Sequence, residues 1–323
     1  MSNKSDYSQP KTAREYLWIY FSGFVMGCAE IVPGVSGGTM AFVLGIYETL
    51  INAIKSVDLN VLKLARKFNF KGIIDHVPVR FLIALFLGMF TAVFALASLL
   101  HHLIEDEPTF IFAFFAGLII ASVLAVGWKV KWSPQTIAAM VVGAVFAFWL
   151  VGQPEISEAG HGALPLFLSG MVAICAMILP GISGSFILLI LGQYDHVLEA
   201  AKDLDVLTLL PAAVGAVVGI IAFSRFLSWL LKHHEHLTIA VLVGFMAGSL
   251  RKIWEEASTG VDVVNESGSL DGGQIILVVV LIIVGFILVS IIDHLQDFNN
   301  PICSLVWKPA RRSEDASEYF ETA

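Results

Sequence analysis

Two short polar segments, rich in glycine and serine, interrupt long apolar stretches of this 323-residue chain. They are Pro33–Thr39 (PGVSGGT) and Pro180–Phe186 (PGISGSF). Proline and glycine break helices, and a helix that restarts after a break begins with unpaired N–H groups at the positive end of its dipole. Small residues let a ligand approach those groups, and hydroxyls add further donors. The pattern therefore predicts the binding of an anion, with phosphate as the prime candidate.

The residues expected to form this phosphate site come from both polar segments and from one arginine inside an apolar stretch. They are Gly34, Ser36, Gly37, Gly38, Thr39, Gly181, Ser183, Gly184, Ser185 and Arg225. Three other interpretations stay open. The hydroxyls could only cap their own helices, the glycines could only allow tight helix packing, and the arginine could only extend to the membrane interface. The first of these is compatible with anion binding.

The two segments belong to an internal repeat. Aligning 22–58 with 169–205 without a gap gives 16 identical residues in 37 positions. The two halves continue to match beyond these ranges, but the first half contains a 20-residue insertion at about 57–78. The basic and apolar residues of the insertion predict either an amphipathic helix on the membrane surface or a solvated basic loop. Paired breaks in matching positions of two halves are the pattern of transporters built from repeats.

Three more charged residues are candidates for function. Glu30 lies three residues before Pro33, and its repeat mate is Met177. A carboxylate on one side only of a paired anion site predicts a coupling role with protons or sodium, or else a structural hydrogen bond or a pairing with the arginine. Arg251 and Lys252 form a basic pair expected at the outer membrane face, where they either recruit an anionic headgroup or only extend to the interface.

Composition places the chain in the membrane. It is 57% hydrophobic and 14% charged, with a mean hydropathy of +0.81, whereas soluble domains carry about 25% charged residues. Segments next to the breaks have about 15 residues, too few for the ~30 Å hydrocarbon core. Each pair predicts a helix–break–helix hairpin that enters the membrane and returns, or two short full crossings. The apolar segments are 16–32, 39–54, 79–100, 109–127, 135–151, 163–179, 186–200, 206–231, 237–250 and 274–292.

Parity and charge predict the topology. One hairpin and three crossings in each half give an odd number of crossings, so the second half must be inverted. With the N-terminus inside, the inner loops and termini hold 15 Lys and Arg and the outer loops hold three. The predicted fold is all-α, a polytopic integral membrane protein with an inverted-topology repeat and two re-entrant hairpins. Its parts are a cytoplasmic segment 1–15, repeat 1 over 16–151, inverted repeat 2 over 163–292 and a cytoplasmic tail 293–323.

Several classes of activity are disfavoured. The stretch Gly34–Gly37 reads GxSG, as around the serine of rhomboid-type proteases, but all nine histidines fall in loops or at segment ends, away from such a serine. Cysteines and histidines do not cluster as metal ligands do. The sequence predicts a transporter and not an enzyme, with no catalytic residues, metal, cofactor or nucleic-acid partner, and with H⁺ or Na⁺ as the candidate coupling ion. An anion channel or exchanger stays the alternative, and the oligomeric state stays open.

A family resemblance adds the substrate. Glu30–Leu44 (EIVPGVSGGTMAFVL) and Leu179–Gly192 (LPGISGSFILLILG) resemble the signatures of the PopT family of bacterial polyprenyl-phosphate translocases. Gly248–Trp254 (GSLRKIW) is similar to another stretch of that family, and the resemblance covers about 14–295. It implies that the protein returns undecaprenyl phosphate, the lipid carrier for wall and envelope glycans, from the outer to the inner leaflet of the cytoplasmic membrane. The implied partners are this lipid and the bilayer. Ser185 and Phe186 replace Gly38 and Thr39 of the first copy, so the site is imperfectly symmetric.

Overall fold

The computed structural model describes residues 10–31, 35–156, 160–261 and 269–297, within which the chain forms fourteen helices. Gly34 lies outside these ranges, as do 1–9 of the predicted cytoplasmic segment and 298–323 of the predicted tail. The helices of the first half are α1 (Ala13–Ile31), α2 (Gly37–Val43), α3 (Tyr47–Lys55), α4 (Leu59–Arg66), α5 (Phe70–His76), α6 (Val79–Asp106), α7 (Pro108–Trp128) and α8 (Pro134–Val151). Those of the second half are α9 (Ala163–Ile178), α10 (Gly184–Ile190), α11 (Tyr194–Lys202), α12 (Val206–His233), α13 (Glu235–Thr259) and α14 (Gly272–Asp297).

Six of the described helices are long and apolar enough to cross a membrane. They are α6, α7 and α8 in the first half and α12, α13 and α14 in the second, so each half supplies the three crossings that the sequence predicts. Large apolar side chains such as Phe94 and Val142 face outward, as they do in lipid and do not in water. The protein is an all-α integral membrane protein.

Local sequence explains where several of these helices begin. At α8, Ser133 and Thr136 form a reciprocal capping box ahead of Pro134. At α12, Asp205 accepts hydrogen bonds from the hydroxyl and the N–H of Thr208. These bonds, the hydroxyl's first, hold the pKa of the Asp205 carboxyl below its usual value because they favour the charged form.

Glycines bring the first arm of each predicted hairpin against the next long helix of the same half. A Cβ at Gly23 of α1 would lie 2.0 Å from the carbonyl oxygen of Leu85 in α6, and one at Gly27 would lie 2.6 Å from that of Met89. Because both positions advance together, α1 and α6 run in the same direction. The chain has thus returned, by the start of α6, to the end of the bundle at which α1 begins. The same packing recurs between α9 and α12. There Gly170, the repeat mate of Gly23, approaches the carbonyl oxygen of Ala212, the repeat mate of Leu85.

The two halves are joined by an exchange of helices around a central pair, α7 and α13. The last long helix of each half packs on the middle long helix of the other, α14 on α7 and α8 on α13. Gly244 and Gly248 of α13 approach the carbonyl oxygens of Met140 and Ala144 in α8, so α8 and α13 run in the same direction. The third crossing of one half is therefore parallel to the second crossing of the other. This parallel direction is the one expected if successive crossings are antiparallel and the second half is inverted relative to the first.

The structure corrects the second arm of each predicted hairpin. The sequence predicts single apolar arms over 39–54 and 186–200, but each arm is two helices, and α2 and α3 meet at an angle of 119°. The breaks lie at Gly45 (φ 67°) and Gly192 (φ 62°), because a left-handed residue ends a helix and glycine adopts that conformation at little cost. The predicted single arm is wrong, and α2 and α10, with seven residues each, are only about 10 Å long.

The insertion of the first half is two short helices, α4 and α5, instead of one. Asp58 caps α4 by accepting from the N–H groups of Asn60 and Val61. Phe68, with a φ of 51°, lies in the turn before α5, and its ring and that of Phe70 are exposed. The two helices pack on each other, and α5 contributes no buried residue. The insertion therefore stands apart from the helices that carry the two polar segments.

Candidate functional site

The two polar segments, here called the first motif (33–39) and the second motif (180–186), touch each other inside the protein. The hydroxyl of Ser36 donates to the carbonyl oxygen of Leu179, with 3.2 Å between the two oxygens. The N–H of Gly181 donates to the hydroxyl oxygen of Thr39 at 2.9 Å. An added Cβ on Gly38 would lie 2.7 Å from the carbonyl oxygen of Ile178. The breaks of the two halves therefore cross in direct backbone contact, which requires these small residues.

The start of α2, at the first motif, is closed by the chain's own groups. Ser36 is the N-cap, with φ −116° and ψ 130°, and its hydroxyl oxygen accepts from the N–H of Gly38. The N–H of Gly37 donates to Oε1 of Glu30 at 3.0 Å. Ser36 and Thr39 are 2% and 1% exposed. A carboxylate of the protein thus lies where the dipole of α2 favours an anion.

The start of α10, at the second motif, lacks both the serine cap and the carboxylate that are found at the start of α2. Met177 stands where the first half has Glu30, so no carboxylate is available at that position to cap the helix. Ser183 makes no capping bond with its side chain, and its hydroxyl instead lies 2.7 Å from the hydroxyl of Ser185. Ser185 is exposed, whereas its counterpart Gly38 is buried. In this conformation the second motif is therefore open at Ser185, while its residues 181–184 are buried, and the described part of the first motif, 35–39, is closed.

The basic pair of α13 divides into two different environments. Lys252 Nζ lies 5.5 Å from the ring centroid of Phe186, in the first turn of α10, and pairs with Glu256 at 2.7 Å. Arg251 instead donates from Nη1 to the carbonyl oxygen of Phe148 in α8 at 3.0 Å, and from Nε to Glu255. Lys252 is thus the cation beside the second motif, and Arg251 joins α13 to α8.

Arg225 is not brought to either motif in the part of the chain that the structure describes. Its Nη1 donates to the carbonyl oxygen of Ile221 on its own helix at 2.9 Å. One turn further along α12, Ser228 accepts from Lys55 Nζ at 3.0 Å and donates to Oδ1 of Asn52 at 3.1 Å. A polar network thus joins α12 to α3 near Arg225, away from the crossing of the motifs.

One residue at the crossing is absent from the set that the sequence predicts. The hydroxyl of Tyr47, which is 2% exposed, donates to the carbonyl oxygen of Ile178 at 3.1 Å and so holds the last turn of α9. Its repeat mate Tyr194 is 36% exposed. The identity of the two tyrosines is a visible signal, but nothing in the sequence indicates that only one of them reaches the opposite half.

Comparisons with known proteins find a matching family and related sequences. The profile of a family described as VCA0040-like, undecaprenyl phosphate translocase-like, matches residues 26–270. A polyprenyl-phosphate transporter of Vibrio cholerae is 42% identical over 255 residues, which are 78% of this chain and 82% of the relative. A polyprenyl-phosphate transporter of Staphylococcus aureus is 31% identical over 267 residues, 77% of this chain and 90% of the relative. No solved structure matches.

Proposed function

The chain belongs to the undecaprenyl phosphate translocase-like family, and from this membership we propose that it carries polyprenyl phosphate across a membrane. The substrate is undecaprenyl phosphate, returned from the outer to the inner leaflet of the bacterial cytoplasmic membrane for reuse as a glycan carrier. Both termini lie in the cytoplasm, since 15 Lys and Arg fall on that side and three on the other. The protein is a transporter and not an enzyme.

The phosphate headgroup binds where the two motifs cross. The observation that carries this proposal is the asymmetry of the crossing, with Ser185 of the second motif exposed and the described part of the first motif, 35–39, buried. The candidate donors are the hydroxyls of Ser183 and Ser185 and the backbone N–H of Gly184, and the candidate cation is Lys252, which lies 5.5 Å from the ring of Phe186 in the same motif. An anion between those hydroxyls and that cation gains charge-assisted hydrogen bonds in a setting from which water is largely excluded.

The first motif serves the opposite half of the cycle. Its donors are the N–H groups of Gly37 and Gly38 and the hydroxyl of Ser36, all of which the chain itself satisfies in this conformation. The hydroxyl of Thr39 is a further donor, and its oxygen accepts from the N–H of Gly181. When the repeats rock and the second motif closes, Glu30 leaves Gly37 and the phosphate takes its place. A proton or a sodium ion that neutralises Glu30 favours this exchange, because two anions cannot share one helix start. Arg225 is a candidate contact on the inward side.

The lipid tail stays in the bilayer during the whole cycle, so only the headgroup needs a polar path. This is compatible with a site that opens sideways between helices, since large apolar side chains of the long helices, such as Phe226, are exposed to lipid. A transporter of small soluble anions is the second candidate, since small anions suit the same helix starts. An intramembrane serine protease is disfavoured, because the Ser36 hydroxyl bonds to a carbonyl oxygen and to an N–H instead of to a base.

A flux assay with purified protein in liposomes tests the proposal. Polyprenyl phosphate is placed in one leaflet, its transfer to the other is followed with a leaflet-resolved label, and imposed proton and sodium gradients are compared with none. Parallel liposomes contain inorganic phosphate or chloride. Transfer of the lipid without rapid flux of either ion is the expected result. Rapid ion flux with no lipid movement would establish the small-anion transporter instead.

A further inference from the structure

An apolar groove of about 430 Å³ opens between α12 and α13 on the side of the protein that faces lipid. Its size falls in the range of ligand sites, roughly 300–1,000 Å³. One wall is α12 and the other is α13, and the ring of Phe226 at its rim is 53% exposed. The apolar lining includes Leu179, Phe223, Leu230, Leu237, Val241 and Phe245.

One end of the groove lies at the crossing of the motifs. Leu179 lines the groove, and its carbonyl oxygen accepts the hydrogen bond from Ser36 of the first motif. Phe245 also lines the groove, and its carbonyl oxygen would lie 2.9 Å from a Cβ placed on Gly181 of the second motif. The groove and the crossing thus share residues and backbone, and no described helix separates them. A molecule whose polar end lies at the crossing can extend its apolar part directly into the groove.

The other end of the groove, away from the crossing, lies near the turn between α12 and α13. Leu237 and Phe245 are eight residues apart on α13, so the groove runs about 12 Å along the helix, close to half of the ~30 Å hydrocarbon core. At this end stand His234 and Thr238, and the Thr238 hydroxyl is already bonded to the carbonyl oxygen of His234 at 2.9 Å. Apart from these two side chains the lining is leucine, phenylalanine and valine, which cannot hold a headgroup.

We propose that this groove binds the first isoprene units of the transported lipid, with the phosphate at the crossing of the motifs and the prenyl chain leaving between α12 and α13. The assignment rests on the proposed function. A single prenyl chain is narrow, branched by methyl groups and rich in double bonds, and the rings of Phe223, Phe226 and Phe245 offer flat faces on which such a chain packs. The groove thereby binds the prenyl chain while the motifs bind the phosphate. Contacts with the chain let the protein select this lipid over soluble phosphate.

Photochemical labelling tests the groove directly. Purified protein in liposomes is irradiated with a polyprenyl phosphate that carries a diazirine in its second isoprene unit, and the adduct is located by mass spectrometry. We expect it on α12 within 223–230 or on α13 within 237–245. Val241→Trp, which fills the groove from its partly exposed rim, should lower the yield about tenfold, the loss expected when only two CH₂ groups lose apolar contact.

The control is the same substitution on the same helix pair but outside the groove. Val217→Trp on α12, at a position 57% exposed to lipid, should label as the unsubstituted protein does. Unlabelled polyprenyl phosphate should compete for the groove, and phosphatidic acid, with a phosphate headgroup but two acyl chains, should not. If Val241→Trp fails to reach the membrane, Leu237→Trp on the same wall gives the same test.

The outcomes separate the groove from the function. If the unsubstituted protein moves polyprenyl phosphate between leaflets but the adduct lies elsewhere, the groove assignment is overturned and the transport function stands. Normal labelling of Val241→Trp, or equal competition by phosphatidic acid, has the same consequence. If the unsubstituted protein neither binds nor moves polyprenyl phosphate, both the function and the groove assignment fall.

Discussion

The carboxylate of Glu30 accepts a hydrogen bond from the backbone N–H of Gly37, with 3.0 Å between Oε1 and N. The contact is close enough that a Cβ on Gly37 would lie 2.5 Å from the same oxygen. The protein therefore places one of its own carboxyl groups at the start of α2, and the repeat mate Met177 cannot do so at α10. Two motifs of similar sequence are therefore in different states: the chain itself caps the first, and the second is exposed at Ser185. Several expectations depend on this difference.

Glu30→Gln tests the coupling role. The amide oxygen can still accept from Gly37, so the start of α2 stays capped, but the side chain can no longer exchange its charge. We expect lipid transfer down an imposed lipid gradient to persist and its acceleration by a proton or sodium gradient to disappear, measured by the leaflet-resolved flux assay. Glu48→Gln, at an exposed carboxylate of the same half, is the control and should keep the acceleration. An unchanged response of Glu30→Gln would exclude Glu30 as the coupling group.

The serines of the two motifs should separate stability from binding. Ser36→Ala removes a buried hydroxyl that serves Leu179 and Gly38, so it should lower the free energy of unfolding by about 1–3 kcal/mol. Ser185→Ala, at an exposed position, should change it by less than about 0.5 kcal/mol. The same Ser185 substitution should weaken polyprenyl phosphate binding about tenfold, the loss of one hydrogen bond to a charged group.

Thermal unfolding in detergent and equilibrium binding of the lipid measure the two effects. The opposite pattern, with binding lost in Ser36→Ala at unchanged stability and kept in Ser185→Ala, would move the headgroup to the first motif.

Glycine substitutions test the need for close backbone approach. A Cβ on Gly184 would lie 2.9 Å from the carbonyl oxygen of Ala173, a backbone atom that cannot move aside as a flexible side chain can. Gly184→Ala should therefore shift α10 against α9 and abolish transport in the flux assay, while the protein still reaches the membrane. Gly127→Ala on α7, where the nearest atom is 3.7 Å away, should transport normally. Normal transport by Gly184→Ala would place the anion site away from this motif.

The basic pair of α13 should give two distinct defects. Lys252→Gln removes the cation beside Phe186 and should raise the dissociation constant for polyprenyl phosphate, with a smaller dependence of binding on salt. Arg251→Gln breaks the bond to the carbonyl oxygen of Phe148 and should lower the unfolding temperature while leaving lipid affinity nearly unchanged. Equal effects of both substitutions on affinity would instead support joint recruitment of the headgroup.

Topology can be measured with single cysteines after Cys28, Cys175 and Cys303 are replaced by serine. Cysteines at Gly160 and Ser258 should react with a membrane-impermeant maleimide added to intact cells, because both positions lie in predicted outer loops. A cysteine at Lys67, in the turn between α4 and α5, should react only after permeabilisation. Labelling of positions 67 and 160 from the same side would end the inverted-repeat topology.

Sequence alone determined the elements that short-range physics controls. Apolar runs of 14 to 26 residues specified the six long helices, because hydrocarbon admits only segments that satisfy their own backbone. The duplicated Pro-Gly-x-Ser-Gly pattern located both breaks and the residues that could bind an anion. The sequence did not predict the second break in each hairpin, and the reason is also local. Gly45 and Gly192 were visible, but a glycine can stay helical as well as end a helix.

Only the tertiary structure decided how the two halves meet. Lipid is as apolar as the helix surfaces, so apolar pattern does not choose helix partners in a membrane, and packing of small residues such as Gly117 and Gly244 does. The exchange of α8 and α14 between the halves follows from that packing. The crossing of the motifs likewise depends on contacts between residues more than 140 positions apart, such as Ser36 with Leu179. Glu30 and Met177 were a visible difference in the sequence, but only the fold shows that Glu30 accepts a hydrogen bond at the start of α2.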